Sequence, residues 1–368
     1  MSKRTNISWC DSSSNAVIGC TKVSAGCKEC YAAIDTPARV LRHRGIETWG
    51  DSGQRVLVKG FEKSMLAMNR KQWICDECGH AQEWQEIDSY EHVGCSKCGT
   101  TTHRRRTFCD SNSDWLDEKW PIETLAHFLD VCRRCPDMIL ILCTKRPENW
   151  EQRMRQALHW LQDHTPLKDI EDAWLHDWVE CGKAPANVIL LASVENQEAA
   201  DTRIPELLRI PAACRGLSLE PLLGPVDLKL KKKNPSHSEI CECGHSKQWH
   251  DCGRGRCDVI PQGGLRCGCR KFKDSTFNEG TGIDWLIIGG ESGTNARPCN
   301  VDWIRSLVAQ VKAAGLATFV KQLGENPFGI LADPSTPRVA CGPITDKKGG
   351  DPSEWPADLR VQEWPKGF

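Results

Sequence analysis

The stretch Gly19 to Ala32, GCTKVSAGCKECYA, places Cys20, Cys27 and Cys30 within eleven positions. Two thiols would suggest a redox pair, and four would close a zinc cage. Three thiolates holding a four-iron cluster leave one iron without a protein ligand, and that iron can bind a small molecule. The spacing alone also fits a zinc ion completed by Cys10, His43 or Cys109, or three reduced thiols in a core.

Two further groups carry metal chemistry. Cys75-x2-Cys78, sixteen residues, then Cys95-x2-Cys98 is zinc-ribbon spacing. Each CxxC forms a knuckle that aims two thiolates at one ion, and a short segment with little core needs such a staple to fold. Arg104, Arg105 and Arg106 follow the ribbon and are candidates either for gripping phosphates or for a solvated charge run. The other group spans residues 241–269. Its candidate zinc ligands are Cys241, Cys243, His245, His250, Cys252, Cys257, Cys267 and Cys269, too many for one ion. The pattern resembles a small zinc-binding module, and that resemblance favours Cys241 or Cys243, with His250, Cys257, and Cys267 or Cys269. Lys229 and Lys231 to Lys233 precede it. Four-coordinate protein zinc has no open position, so both groups read as structural.

Something must position the three N-terminal cysteines. Apolar or β-branched runs at 5–9, 106–110, 138–144, 187–194, 215–220, 283–290 and 317–323 predict strands. Helical patterns at about 29–44, 120–135, 147–160, 198–209 and 301–314 alternate with them. This is the pattern of βαβ units on a parallel sheet, and it predicts an α/β fold, a partial or full (β/α) barrel. Polar residues sit just past each run: Asp110 to Asp114, Thr144 to Pro147, Ser193 to Gln197, Ser218 to Pro221, Gly289 to Gly293, and Lys321 with Gln322. Six such ends in succession favour one shared barrel mouth. The rhythm breaks at 71–104 and 231–279, which hold ten of the 22 cysteines. The expected layout is therefore a barrel from 1–70, 105–230 and 280–368, with two cysteine-rich zinc-binding insertions.

The totals narrow the class. The chain has 368 residues, 39% hydrophobic and 26% charged, with a net charge of −1. A globally basic nucleic-acid binder is excluded, while local basic patches are not. No run reaches the roughly 18 apolar residues of a membrane span, and MSKRTNISWC lacks an apolar signal core. A reducing cytoplasmic setting is the expectation, and there so many cysteines point to metal or catalysis rather than disulfides.

The thiol stretch resembles the signature of a phage and prophage family marked by a three-cysteine motif, NxVxGCxKVSxGCxxCYA. The likeness continues through LCTKRPENW, ASVENQ, LSLEPLLGPVDL, DWLIIGGESGTNARP and FVKQLGE, and it covers neither insertion. That family is similar to the radical SAM superfamily, in which three cysteines after the first barrel strand hold a 4Fe-4S cluster. There the open iron is chelated by S-adenosylmethionine, and reduction releases a 5′-deoxyadenosyl radical. The usual spacing is CxxxCxxC with an aromatic before the last cysteine; here it is Cx6CxxC, with Glu29 before Cys30 and Tyr31 after it. The resemblance implies that Cys20, Cys27 and Cys30 ligate the cluster. Ser193, Glu195, Asn196 and Glu220 would contact the cofactor's ribose or amine. Lys145, Arg146 and Lys321 would face anionic groups of substrate or cofactor.

The function expected from these signals is a radical SAM-like enzyme, phage-encoded and working in the host cytoplasm. It would need S-adenosylmethionine and a reductant, and it would modify or rearrange a nucleic-acid base in phage DNA hypermodification. A base in duplex DNA would have to be flipped out to reach the mouth. The alternatives are a zinc-dependent nucleic-acid-binding protein without catalysis, and a metal-dependent hydrolase or lyase using the mouth carboxylates.

Overall fold

A computed structural model describes residues 5–83, 94–164, 174–230, 282–329 and 344–368. The second cysteine-rich insertion, with Cys241, Cys243, His250, Cys257, Cys267 and Cys269, lies outside the described residues.

Seven parallel strands form the central sheet: β1 (Ser12–Ser14), β2 (Arg106–Cys109), β3 (Ile139–Thr144), β4 (Val188–Ser193), β5 (Cys214–Leu219), β6 (Trp285–Gly289) and β7 (Ala317–Gln322). Their order across the sheet is their order along the chain. A doubly wound sheet would reverse direction at a switch point; a sheet wound one way curls instead. The result is a curled parallel half-barrel, open between β1 and β7.

The helices are α1 (Tyr31–Ile34), α2 (Thr36–His43), α3 (Phe61–Arg70), α4 (Ile122–Arg133), α5 (Trp150–His164), α6 (Trp174–Glu180), α7 (Gln197–Arg209) and α8 (Val301–Ala314). Side-chain caps start three of them: Asp35 caps α2, Asn196 Oδ1 accepts from Ala199 N at 2.9 Å at α7, and Asn300 Oδ1 accepts from Asp302 N at 2.9 Å at α8. The run expected as one helix over 29–44 is two, because Asp35 is extended and its carboxylate caps α2 through Thr36 N.

Both sheet faces are buried, so the strands read as continuous apolar runs. Leu140, Leu142, Leu190, Ala192, Leu217, Leu286, Ile288 and Val320 face the helix layer. On the inner face Ile139, Ile141, Ile189, Leu191, Trp285, Ile287 and Phe319 pack together with Trp9, Trp364 and Phe368. Residues from both the N-terminal and the C-terminal segments, Ile7 and Trp9 with Trp364 and Phe368, therefore fill the half-barrel. The C-terminal segment also covers the edge of β7, with Val320 N donating to Val361 O and Glu363 N to Thr318 O. Covering an edge in this way prevents pairing with other chains.

The expected first strand at 5–9 is not a strand. Ile7 and Trp9 belong to the inner-face packing, and the strand is the serine run that follows. Ser12 and Ser14 are fully buried, and Ser12 Oγ shares a 2.9 Å hydrogen bond with Thr107 Oγ1. Among the described residues no helix is long and apolar enough to cross a membrane.

Candidate metal centres and the half-barrel mouth

The ribbon is a three-stranded antiparallel sheet of residues 73–75, 81–82 and 102–104. Its four sulfurs converge: Cys75 and Cys98 Sγ are 3.4 Å apart, and Cys78 lies 3.6 Å from both Cys95 and Cys98. Sulfurs around a tetrahedral zinc with bonds of about 2.3 Å stand roughly 3.8 Å apart. The amides of Cys78 and Lys97 each donate to a cysteine sulfur at 3.4 Å, which is how a knuckle offsets thiolate charge. The donor set fits a metal such as zinc.

The ribbon joins the barrel through charged groups. His103 bridges Asp76 of the ribbon, at 2.6 Å, and Asp11 beside β1, at 3.1 Å. The three arginines that follow, read from the sequence either as a phosphate grip or as a solvated charge run, donate to backbone carbonyls. Arg104 donates to the carbonyls of Pro136 and Asp137, and buried Arg105 donates to that of Lys71. Arg106 donates to Phe368 O and stacks 4.5 Å above the Trp364 ring. Strand β2 starts at Arg106, so alternation directs these side chains into loops and the inner face.

Strand register decides what reaches the mouth. Pairing aligns Ser193 with Ser218, Ser218 with Ile287, and Ile287 with Phe319. Counting by two along β3, β4, β5 and β7 brings Lys145, Ser193, Glu195, Glu220 and Lys321 to the inner face at the C-terminal ends. Lys145 Nζ bonds Ser193 Oγ, and Lys321 pairs with Glu220. Directly below, burial pushes the Cys143 thiol up to about 12, with Lys145 opposing the rise.

The three-cysteine loop lies across these strand ends. It begins at Gly19, with φ +119°, where a Cβ would stand 2.5 Å from the carbonyl oxygens of Gln54 and Thr48; no other residue fits. Gly19 N donates to Asn112 O at 3.1 Å, and Ser113 Oγ donates to Gly19 O at 2.6 Å. Next, Thr21 is held on three sides. Its carbonyl accepts from Arg146, its amide donates to Asp117 and its hydroxyl accepts from Arg55. Arg146 and Asp114 form a 2.7 Å ion pair with both side chains more than nine-tenths buried. Burial works against the Arg146 charge, but Asp114, Cys20 and Asp117 overcome it and hold the pKa above the ordinary value. The guanidinium also stands 3.7 Å from Cys20 Sγ. It is therefore a partner of the loop rather than of the mouth.

Burial pushes the Cys20 thiol up to about 12, Asp114 adds to the rise, and Arg146 opposes it. Burial likewise raises Cys30, against the amides of Ala32 and Ala33 and the charge of Lys145. Thiols in such surroundings become thiolates when a cationic centre binds them. Among the described residues, Cys20, Cys27 and Cys30 belong to no group of three or more Cys, His, Asp or Glu whose ligand atoms converge on one point. The suggested completing ligands sit elsewhere: Cys10 against the inner-face aromatics, Cys109 on the helix side, and His43 exposed at the end of α2. Arg146, 3.7 Å from Cys20 Sγ, and Lys145, whose charge reaches Cys30, are the cations beside these thiols.

Two of the expected cofactor contacts have other partners. Asn196 Oδ1 caps α7. Glu195 is 1% exposed; its Oε2 pairs with Arg203 at 2.7 Å and its Oε1 accepts from Gly26 N at 3.3 Å. Ser193 with Lys145, and Glu220 with Lys321, form two pairs at the strand ends. Three features had no signal in isolated spacing: the Asp114–Arg146 pair, Asp117 with Arg55, and Glu291 with Arg297. In the last, Arg297 Nη2 lies 2.6 Å from Glu291.

No curated protein and no solved structure matches the chain. A family model matches residues 4–337, nearly the whole length and both insertions: the chain belongs to the family described as protein of unknown function DUF5131.

Proposed function

We propose that the protein is a radical SAM-like enzyme that modifies a nucleic-acid base, as in phage DNA hypermodification. The observation that carries this reading is the thiol loop. Three buried or half-buried cysteines lie over the polar end of a parallel half-barrel, outside any single-ion cage among the described residues. Cys20, Cys27 and Cys30 would hold a 4Fe-4S cluster, and S-adenosylmethionine would take the open iron. When bound, the pair supplies an organic radical that removes hydrogen from an unactivated C–H bond.

The chain's own residues have separate tasks. Arg146 donates toward Cys20 and offsets thiolate charge, as groups beside cluster sulfurs do. Lys145 and Lys321 carry the positive charge of the mouth and would orient a carboxylate. Ser193 and Glu220 supply acceptors for an amine or hydroxyl. The apolar layer of Ile287, Phe319, Trp285 and Trp9 closes the floor and keeps water from below. Exposed Lys22, Lys28, Arg39 and Arg44 flank the loop and suit a polyanion better than the inward-turned ribbon arginines.

Anaerobic reconstitution with iron and sulfide tests the reading. The expected product is a brown protein absorbing near about 400 nm. With dithionite it converts S-adenosylmethionine to 5′-deoxyadenosine, and candidate DNA changes the yield. A second reading, a zinc-dependent nucleic-acid-binding protein, is favoured by the converging ribbon sulfurs. A colourless protein that carries only zinc and releases no 5′-deoxyadenosine would establish it and overturn the first.

A further inference from the structure

The loop between Cys20 and Cys27 is held by one peptide unit. The Ala25 carbonyl and the Gly26 amide belong to the same peptide bond, and each end is gripped by a charged side chain from a different strand end. Arg297 Nη1 donates to Ala25 O at 2.8 Å. Gly26 N donates to Glu195 Oε1 at 3.3 Å. A cation therefore holds the acceptor and an anion holds the donor, so the two grips reinforce the peptide dipole.

Both gripping groups are themselves fixed. Glu291, buried after β6, binds Arg297 through its backbone amide at 2.9 Å, its Nε at 2.8 Å and its Nη2 at 2.6 Å. Arg203 on α7 holds the other oxygen of Glu195, and the same Arg203 nitrogen donates to Ser193 O at 2.8 Å. The gripped unit lies in the short 3-10 turn Ala25–Cys27, one residue before the second cysteine. Space at residue 26 is tight: a Cβ there would stand 3.1 Å from the Glu195 carboxyl carbon, so the carboxylate, already held by Arg203, would have to give by a few tenths of an ångström.

We propose that Glu195 and Arg297 are positioning residues for the thiol loop, clamping the Ala25–Gly26 peptide so that Cys27 is aimed over the half-barrel mouth. This rests on the reading of the loop as an iron site, but it makes a claim about the metal-free protein as well. Neither residue touches substrate or cofactor in this role. Glu195, expected from the sequence to contact the cofactor, acts through the loop instead.

The experiment uses the full chain and three variants: Arg297→Met, Arg297→Lys and Gly26→Ala. Two quantities are read. The first is the rate at which iodoacetamide alkylates Cys27 in metal-free protein, followed by peptide mass spectrometry. The second is iron per chain after anaerobic reconstitution, with the spectrum of the reduced cluster. Thermal melting and ribbon zinc serve as controls for folding. Arg297→Met and Gly26→Ala are expected to raise Cys27 alkylation about tenfold, the population change that follows from losing about 1.4 kcal/mol. They also lower iron retention and alter the reduced spectrum. Arg297→Lys, which can still donate to Ala25 O, restores much of the wild-type rate. Unchanged alkylation in both Arg297→Met and Gly26→Ala would overturn the clamp. Faster alkylation in variants of a wild type that takes up no iron would support the clamp and refute the iron reading.

Discussion

Replacing Asp110 with asparagine should make the protein's stability less sensitive to pH between about 4 and 7. Asp110 ends β2 with φ +59°, a conformation in which asparagine is also at ease. Its Oδ1 accepts from the amides of Ala16, at 2.9 Å, and Val17, at 3.1 Å, fixing the segment that leads into the thiol loop. Its Oδ2 is buried with no hydrogen-bond partner among the described residues. Burial pushes the carboxyl up to about 7; the two amides oppose the rise, and Asp114 adds to it. Below about pH 4 the group is protonated in both folded and unfolded chains. As pH rises toward 7 the unfolded chain releases this proton and the native state keeps it, so native stability falls by about 1.4 kcal/mol per pH unit. Over the three or so units between the two values this reaches about 4 kcal/mol as an upper bound. Asparagine keeps an oxygen for the two amides and has no proton to lose. The assay is urea unfolding of both proteins at half-unit pH steps. The variant's stability relative to wild type should climb from pH 4 to 7 and level off above. A flat difference, or one that falls with pH, would refute the assignment of a raised carboxyl at this position.

Three further outcomes are expected. Arg146→Met leaves buried Asp114 without its cation and should cost about 3 kcal/mol in urea unfolding; a loss below 1 kcal/mol would mean that Asp114 is satisfied by its neutral donors alone. Cys78→Ser should remove one zinc per chain, measured by atomic emission, and speed tryptic cutting after Lys97, while Cys27→Ala leaves that zinc in place; an unchanged zinc count in Cys78→Ser would deny the ribbon its metal. Arg106→Ala breaks the stack on Trp364 and the bond to Phe368 O, so it should lower stability by about 1–2 kcal/mol. Duplex DNA affinity should then stay within about twofold of wild type; a larger drop would return this arginine to a phosphate-binding role.

The sequence by itself determined the elements with strong local signals. The apolar runs of β3, β4 and β6 lie where the pattern put them, because strands buried on both faces must be apolar throughout. Helix α8 matches its expected span of 301–314, since its apolar period and Asn300 cap are both local. The ribbon was legible for the same reason: two knuckles and one ion require that spacing and nothing distant. Tertiary structure decided the rest. Ser12–Ser14 is a strand only because Thr107 and the helix layer bury its hydroxyls, while the apolar Ile7 and Trp9 fill the half-barrel. The arginine run after the ribbon read equally as a phosphate grip or a solvated charge run; in the fold Arg104 and Arg105 bind loop carbonyls, and Arg106 is held by the returning C-terminal segment. Glu195 and Arg297 lie far apart in the chain and meet only at Ala25–Gly26, where the curl of the sheet brings two strand ends over one loop. Spacing can show that three thiols are available. Which charged groups hold the loop that carries them depends on strand order and register, and those are set by packing across the whole sheet.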